Sequence, residues 1–202
     1  MRVRESSITP LMRKQAVNLY PDNEAEQERF LTALTSGLSR EQAIIALQDR
    51  GEIRNFPKYR ALPWQPEFAL RVMDSIRPSK HPLHEKGAFY CLDFSSVFAA
   101  SAMLAIQETP RRVLDLCSAP GGKGIFAYRA FGPELLVCNE VIVKRVEVLK
   151  SNLERCRIER SAISSLDPSV WARAGKEAFD LLIVDAPCSG QSLLAKGDRA
   201  EG

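Results

Sequence analysis

From Arg112 onward the chain alternates between short apolar runs and longer amphipathic stretches. Residues 113–116, 135–139 and 180–184 are continuous apolar runs bounded by turn residues, and 162–165 is a weaker one; all four read as strands. Residues 122–131 and 143–156 carry helical spacing, the second through Val146, Leu149 and Leu153. Continuous apolar strands separated by helices predict an α/β fold with a parallel sheet covered on both faces.

The first third reads as helical. Asn23 with Glu26 forms a helix start, Phe30, Leu31 and Leu34 share a face, and Gly37 is a stop. Ser39-Arg40-Glu41-Gln42 fits a capping box, Ala43, Ile44 and Leu47 continue the face, and Gly51 suits the left-handed end. Together these predict a helical hairpin over 22–51, within a helical region 1–56. Pro57, Pro63 and Pro66 break residues 52–66 into a linker with strand fragments. Pro66 opens a helix expected to run to Ile76, with Phe68, Val72 and Met73 turned inward. A loop with Pro78 and Pro82 follows, then an apolar, Ala-rich helix over 95–107. The organisation expected is therefore a helical region (1–56), a lead-in segment (57–110) and a sheet-bearing part (111–202).

Composition narrows the class without naming a function. The 202 residues leave room for one domain, or a small domain and part of a larger one. With 45% hydrophobic and 26% charged residues, and no apolar run near the roughly 18 residues of a membrane span, the chain reads as soluble and globular. The start Met1-Arg2-Val3-Arg4-Glu5-Ser6-Ser7 has no apolar stretch after it, so no secretory signal and a cytoplasmic location are expected. The five cysteines are scattered, no CxxC pair occurs, and the only histidines are His81 and His84, so neither a metal site nor a disulfide framework is expected. A net charge of +3 permits nucleic-acid binding without arguing for it.

The chemistry concentrates in two loops. Asp115 ends the first strand, and Cys117-Ser118-Ala119-Pro120-Gly121-Gly122-Lys123-Gly124 turns the chain into a helix. In an open α/β sheet ligands bind at the carboxyl ends of strands, where small residues let backbone approach the ligand. Three cofactor classes fit such a loop. A P-loop needs GxxxxGK[ST], but Cys117 stands for the first Gly and Gly124 for the Ser/Thr. A dinucleotide site can use Gly122-Lys123-Gly124-Ile125-Phe126-Ala127 as GxGxxA, although the loop is longer than that motif's turn. An S-adenosylmethionine site needs no pyrophosphate cradle. Glu140, after the second strand, can accept both ribose hydroxyls of an adenosine or be a solvated acid. Asp167 can reach an adenine amino group or simply cap the helix opening at Pro168. Asp185-Ala186-Pro187-Cys188 ends the last strand and brings Asp185 and Cys188 to the same crevice. A buried inert thiol is the ordinary reading of any cysteine, which the Pro-Cys position at a crevice mouth weakens.

Leu114-Asp115-Leu116-Cys117-Ser118-Ala119-Pro120-Gly121-Gly122-Lys123, with Asp185-Ala186-Pro187-Cys188-Ser189-Gly190, resembles the Sun-type (Nol/Nop/Sun) RNA (cytosine-5) methyltransferases, bacterial ribosomal-RNA enzymes among them. Weaker similarity covers Leu62-Pro63-Trp64-Gln65-Pro66-Glu67, like that family's RNA-binding Pro-Trp segment, and residues 81–96, like its lead-in. The resemblance spans roughly 57–196 and implies a Rossmann-like class I methyltransferase sheet. It implies S-adenosyl-L-methionine as cofactor, contacted by Cys117, Ser118, Ala119, Pro120, Gly121, Gly122, Lys123, Glu140, Asp167 and Asp185, with RNA, ribosomal RNA in particular, as partner. It also implies the reaction: a cysteine thiolate adds to cytosine C6, C5 takes the methyl group, a base removes the C5 proton and the adduct eliminates. In that family the attacking cysteine lies in a later Thr-Cys motif, and the Pro-Cys cysteine, here Cys188, assists product release.

Cys91-Leu92-Asp93-Phe94 departs from the polar run the family has there, and residues 189–202 hold no Thr-Cys motif. Four strands are expected of the family's seven, the last an exposed apolar edge. The chain is accordingly expected to be a fragment, one half completed by a second chain, or a degenerate remnant, and inactive alone. The rival expectations are a non-catalytic RNA-binding or assembly module, and an NAD-binding Rossmann protein.

Overall fold

A computed structural model of the chain describes residues 8–35, 41–48, 51–73 and 75–186. These fall into two compact units, 8–35 and 41–186. The first is a helical hairpin of α1 (Pro10–Leu19) and α2 (Glu24–Thr35). Thr9 Oγ1 accepts from the Met12 amide at 3.3 Å, while the Met12 thioether accepts from the Thr9 amide, a capping box with sulfur in place of the usual carboxylate. Asn23 Oδ1 accepts from the Glu26 amide at 3.2 Å, as the Asn23/Glu26 pattern predicts. Met12 and Ala16 pack against Leu31 to close the pair.

In the second unit the sequence expectation for 39–51 is overturned. Residues 42–46 form strand β1 (Gln42–Ala46), the centre of an antiparallel sheet ordered β2 (Ala69–Arg71), β1, β3 (Phe89–Asp93). Side chains alternate between two cores: Ala43 and Ile45 join Tyr90, Ile125 and Phe126, whereas Ile44 joins Phe56, Val72 and Phe89. Burial on both faces explains the misreading, since a short, continuously apolar run carries no period of its own. Among the described residues of the expected helical region 1–56, helix is thus found in α1, α2 and the single turn α3 (Gly51–Arg54), which Gly51 opens rather than ends. The helix expected from Pro66 to Ile76 is likewise replaced by β2, whose register pairs Ile44 with Leu70. A 3-10 turn (Pro78–Lys80) and one turn α4 (Pro82–Glu85) lead into β3. The apolar helix expected over 95–107 is α5 (Phe94–Ser101) with a 3-10 extension to Ala105.

The second sheet follows the sequence reading closely. Strands β4 (Arg112–Asp115), β5 (Leu135–Asn139), β6 (Ser161–Ser164) and β7 (Leu181–Ile183) are all parallel, in the order β6-β5-β4-β7. Helices α6 (Gly122–Phe131), α7 (Val143–Arg155) and α8 (Pro168–Ala174) connect them. Helix α6 touches β1 and β3 of the first sheet as well as β4 and β5 of the second, so one continuous core spans both. Asp180 accepts from the amides of Arg111 and Arg112 at 2.9 and 2.7 Å, fixing the start of β7 beside β4. Leu182 on this outer strand and Val184 just past it are more than half exposed. Among the described residues no helix is long and apolar enough to cross a membrane.

Gly87 joins α4 to β3 at φ +68°, where a Cβ would lie 1.6 Å from the Arg155 carbonyl oxygen. Both the backbone conformation and the collision exclude a side chain. Gly87→Ala is expected to destabilise the fold by more than about 2 kcal/mol in urea titrations, and a change within about 0.5 kcal/mol would contradict this packing.

Candidate functional site

Because β6, β5, β4 and β7 are adjacent and parallel, their carboxyl ends line one edge of the sheet, the place where open α/β sheets receive ligands. Backbone hydrogen bonds tie those ends together. The Leu116 amide donates to the Ile183 carbonyl (2.9 Å), that of Ser118 to Asn139 (2.8 Å) and that of Glu140 to Ser164 (3.0 Å).

The first loop is shaped by close packing. Gly121 adopts φ +108° and is the N-cap of α6. A Cβ on Gly122 would stand 2.7 Å from Leu92 Cδ1, and one on Gly124 3.1 Å from Asp115 Oδ2. Helix α7 holds the loop from the other side: Asn152 Nδ2 donates to the Pro120 carbonyl at 2.8 Å, and Arg145 donates to that of Ala119.

Acids dominate the crevice. Asp115 is buried; its Oδ2 accepts from Ser118 Oγ at 2.9 Å, while Oδ1 has no hydrogen-bond partner. Burial pushes this carboxyl up to about 6, with Asp185 adding to the rise; Ser118, Lys123 and the Gly124 amide oppose it. Glu140 is also buried, and its Oε1 accepts from the Ile142 amide at 2.9 Å. Arg145 Nη1 stands 3.3 Å from Glu140 Oε2, close enough to pair charges but too poorly aligned to hydrogen-bond, so Oε2 remains a buried acceptor without a donor. Lys123 pairs with Asp185, joining the two sequence motifs directly.

The remaining expected positions differ in kind. Asp167 is exposed and caps α8, accepting from the Ser169 amide at 2.8 Å; the Ser169 side chain first, and its amide second, hold the Asp167 carboxyl below the usual range. The capping alternative for Asp167 is thus realised in this structure. Cys117 is half-buried, and its thiol is raised by burial and by Asp115, Glu140 and Asp185, which opposes thiolate formation. Cys188, with Pro187, lies outside the described residues.

Three residues at the crevice escaped the sequence reading. Asn139, fully buried, links the loops after β4, β5 and β6. Arg145 and Asn152 brace the first loop from α7. A signal existed for Arg145: a cation in the first turn of a helix opposes the helix dipole, so it needs a compensating acid, here Glu140.

Residues 101–200 match the family model described as 16S rRNA methyltransferase RsmB/F. The chain is 36% identical over 138 residues to ribosomal RNA small subunit methyltransferase F of Serratia proteamaculans, covering 67% of this chain and 29% of that protein. It is 33% identical over 161 residues to the Vibrio campbellii protein of the same name, covering 78% of this chain and 34% of the relative. The chain thus spans about a third of the length of these curated relatives. Among solved structures, PH0851 superposes with a TM-score of 0.71 at 18% identity, over 91% of this chain and 43% of that one. NSun6 from Pyrococcus horikoshii, solved with SFG, gives 0.67 at 13% identity, over 90% and 71%. At these identities the two structures speak for a shared fold.

The raised Asp115 carboxyl fixes a pH dependence. The folded value of about 6 lies above the ordinary 3.8, so in this window the folded state holds the proton more tightly and stability falls as pH rises. Thermal unfolding of wild type and Asp115→Asn between pH 4 and 7 is expected to shift in the variant's favour by up to roughly 3 kcal/mol as pH rises. A difference independent of pH would contradict the buried acid.

Proposed function

We propose, from the match of residues 101–200 to the RsmB/F methyltransferase family, that the chain is the cofactor-binding part of a Sun-type, S-adenosyl-L-methionine-dependent RNA (cytosine-5) methyltransferase acting on small-subunit ribosomal RNA. The observation that carries the proposal is the electrostatic character of the crevice. Three carboxylates (Asp115, Glu140 and Asp185) face two cations, Lys123 and Arg145, each already engaged with one of them. The start of α6 lies against Asp115, where a Cβ on Gly124 would stand 3.1 Å from its Oδ2. A pyrophosphate would meet acids at this helix end; a cofactor with a sulfonium and an ammonium meets complementary charge.

The residues suit that group. The unpartnered Glu140 Oε2 is a buried acceptor of the kind a ribose hydroxyl satisfies. The loop of Cys117, Ser118, Ala119, Pro120, Gly121, Gly122 and Lys123 offers backbone with little side-chain bulk, suited to the methionine part. Asp167 serves the adenine side, and Asp185 with Lys123 closes the mouth. When bound, S-adenosylmethionine supplies an electrophilic methyl group. The chain's own residues hold it, over a floor formed by the buried Asp115 and Asn139. Cys188 is assigned to product release, and the segment 57–110 to the RNA side.

Calorimetry on the 202-residue chain tests the cofactor. S-adenosylmethionine is expected to bind and NAD is not, and Glu140→Gln should weaken binding about tenfold or more. Tight NAD binding without response to S-adenosylmethionine would overturn the proposal.

A further inference from the structure

Asn139 ends β5 and is 0% exposed. Its Nδ2 donates to the carbonyls of Leu116 (3.1 Å) and Leu166 (3.0 Å). Its Oδ1 accepts from Ser164 Oγ (2.8 Å), the Leu166 amide (3.1 Å) and Trp171 Nε1 (3.0 Å). Its own carbonyl accepts from the Ser118 amide at 2.8 Å. A buried amide is ordinarily satisfied, so saturation alone says little. The choice of partners says more. The side-chain partners lie just past β4, at the end of β6 and beyond it, and in α8, where the crevice is built. Leu166 is gripped at both its amide and its carbonyl, immediately before Asp167, and Glu140 follows Asn139 directly.

We propose that Asn139 is the positioning residue of the cofactor cradle: its side chain sets the Leu166–Asp167 backbone and the end of β4 in place around Glu140, so that the ribose-side and adenine-side acids are presented together. This rests on the cofactor reading above. The role requires an amide. An aspartate would supply no donor to Leu116 and Leu166 and would add another charge beside the buried acids; an alanine would leave all the partners open.

Two measurements on the 202-residue chain test it. The first is hydrogen exchange without cofactor. In Asn139→Ala the Leu166 amide and the Trp171 indole N–H should exchange at least tenfold faster, while Leu114 and Val137 in the sheet interior stay protected. Should the alanine variant not fold, Trp171→Phe removes one donor, leaves the other bonds, and should speed exchange at Leu166 by a smaller factor. The second is calorimetry with S-adenosylhomocysteine on wild type, Asn139→Ala, Asp167→Asn and the double variant. Each single change is expected to weaken binding about tenfold, and the double variant by no more than about twofold beyond Asn139→Ala, since Asp167 is already displaced. Fully additive losses would overturn the inference, as would unchanged exchange at Leu166 in the folded variants. An inert Asp167→Asn would remove Asp167 from the cofactor reading, and a wild-type chain that binds no S-adenosylhomocysteine would end that reading. In either case exchange at Leu166 still decides whether Asn139 holds the loop.

Discussion

A side chain at Gly122 would stand 2.7 Å from Leu92 on β3, and one at Gly124 3.1 Å from the Asp115 carboxylate on β4. The first turn of α6 is therefore packed closely between two sheets: a Cβ at Gly122 would push the tip of Leu92 aside, and one at Gly124 would crowd the Asp115 carboxylate. Much follows from that squeeze. It welds the antiparallel and parallel sheets into one core through Ile125 and Phe126. It brings the start of α6 against the Asp115 carboxylate, and the loop before it is bare of bulky side chains. A glycine pattern of this kind is often credited to the ligand alone. Here packing against Leu92 and Asp115 already favours small residues at Gly122 and Gly124 before any ligand enters.

The second organising feature is the cost of burying acids. Asp115 and Glu140 are both almost wholly removed from water, and each retains one oxygen without a hydrogen bond. Such groups are expensive unless something compensates. Partial compensation is visible in Ser118 and Lys123 for the first acid, and in Ile142 and Arg145 for the second. The same cations also join parts of the chain distant in sequence. Arg145 spans from Glu140 to the Ala119 carbonyl, and Lys123 spans from the first loop to Asp185. Charge balance and loop geometry are thus one problem solved by the same side chains.

The parallel sheet was legible because its strands are apolar runs with turn residues on both sides and amphipathic helices between them. The spans expected for α6 and β5 coincide with those observed. The antiparallel sheet was not legible. Ala43-Ile44-Ile45 faces a core on each side, which erases the alternation that marks a half-buried strand, and a plausible capping box upstream supplied the wrong context. Tertiary pairing with β2 and β3 decided the matter, and no local pattern records it. At the site, the sequence identified residues that a motif names. It missed Asn139, because a polar residue ending an apolar strand looks like a simple strand stop. Its importance arises from partners up to 32 residues away.

The position of β7 has a kinetic meaning. The strand docks on β4, the first strand of its sheet, with about 68 residues between Arg112 and Asp180. A chain emerging from the ribosome can pair β4 with β5 and β5 with β6 as each appears, but one flank of β4 must wait uncovered until the segment around Asp180 arrives. Asp185, and with it the Lys123 ion pair, comes later still. The crevice is thus completed by a long-range closure, and intermediates formed before it carry an open apolar edge in the middle of the finished sheet.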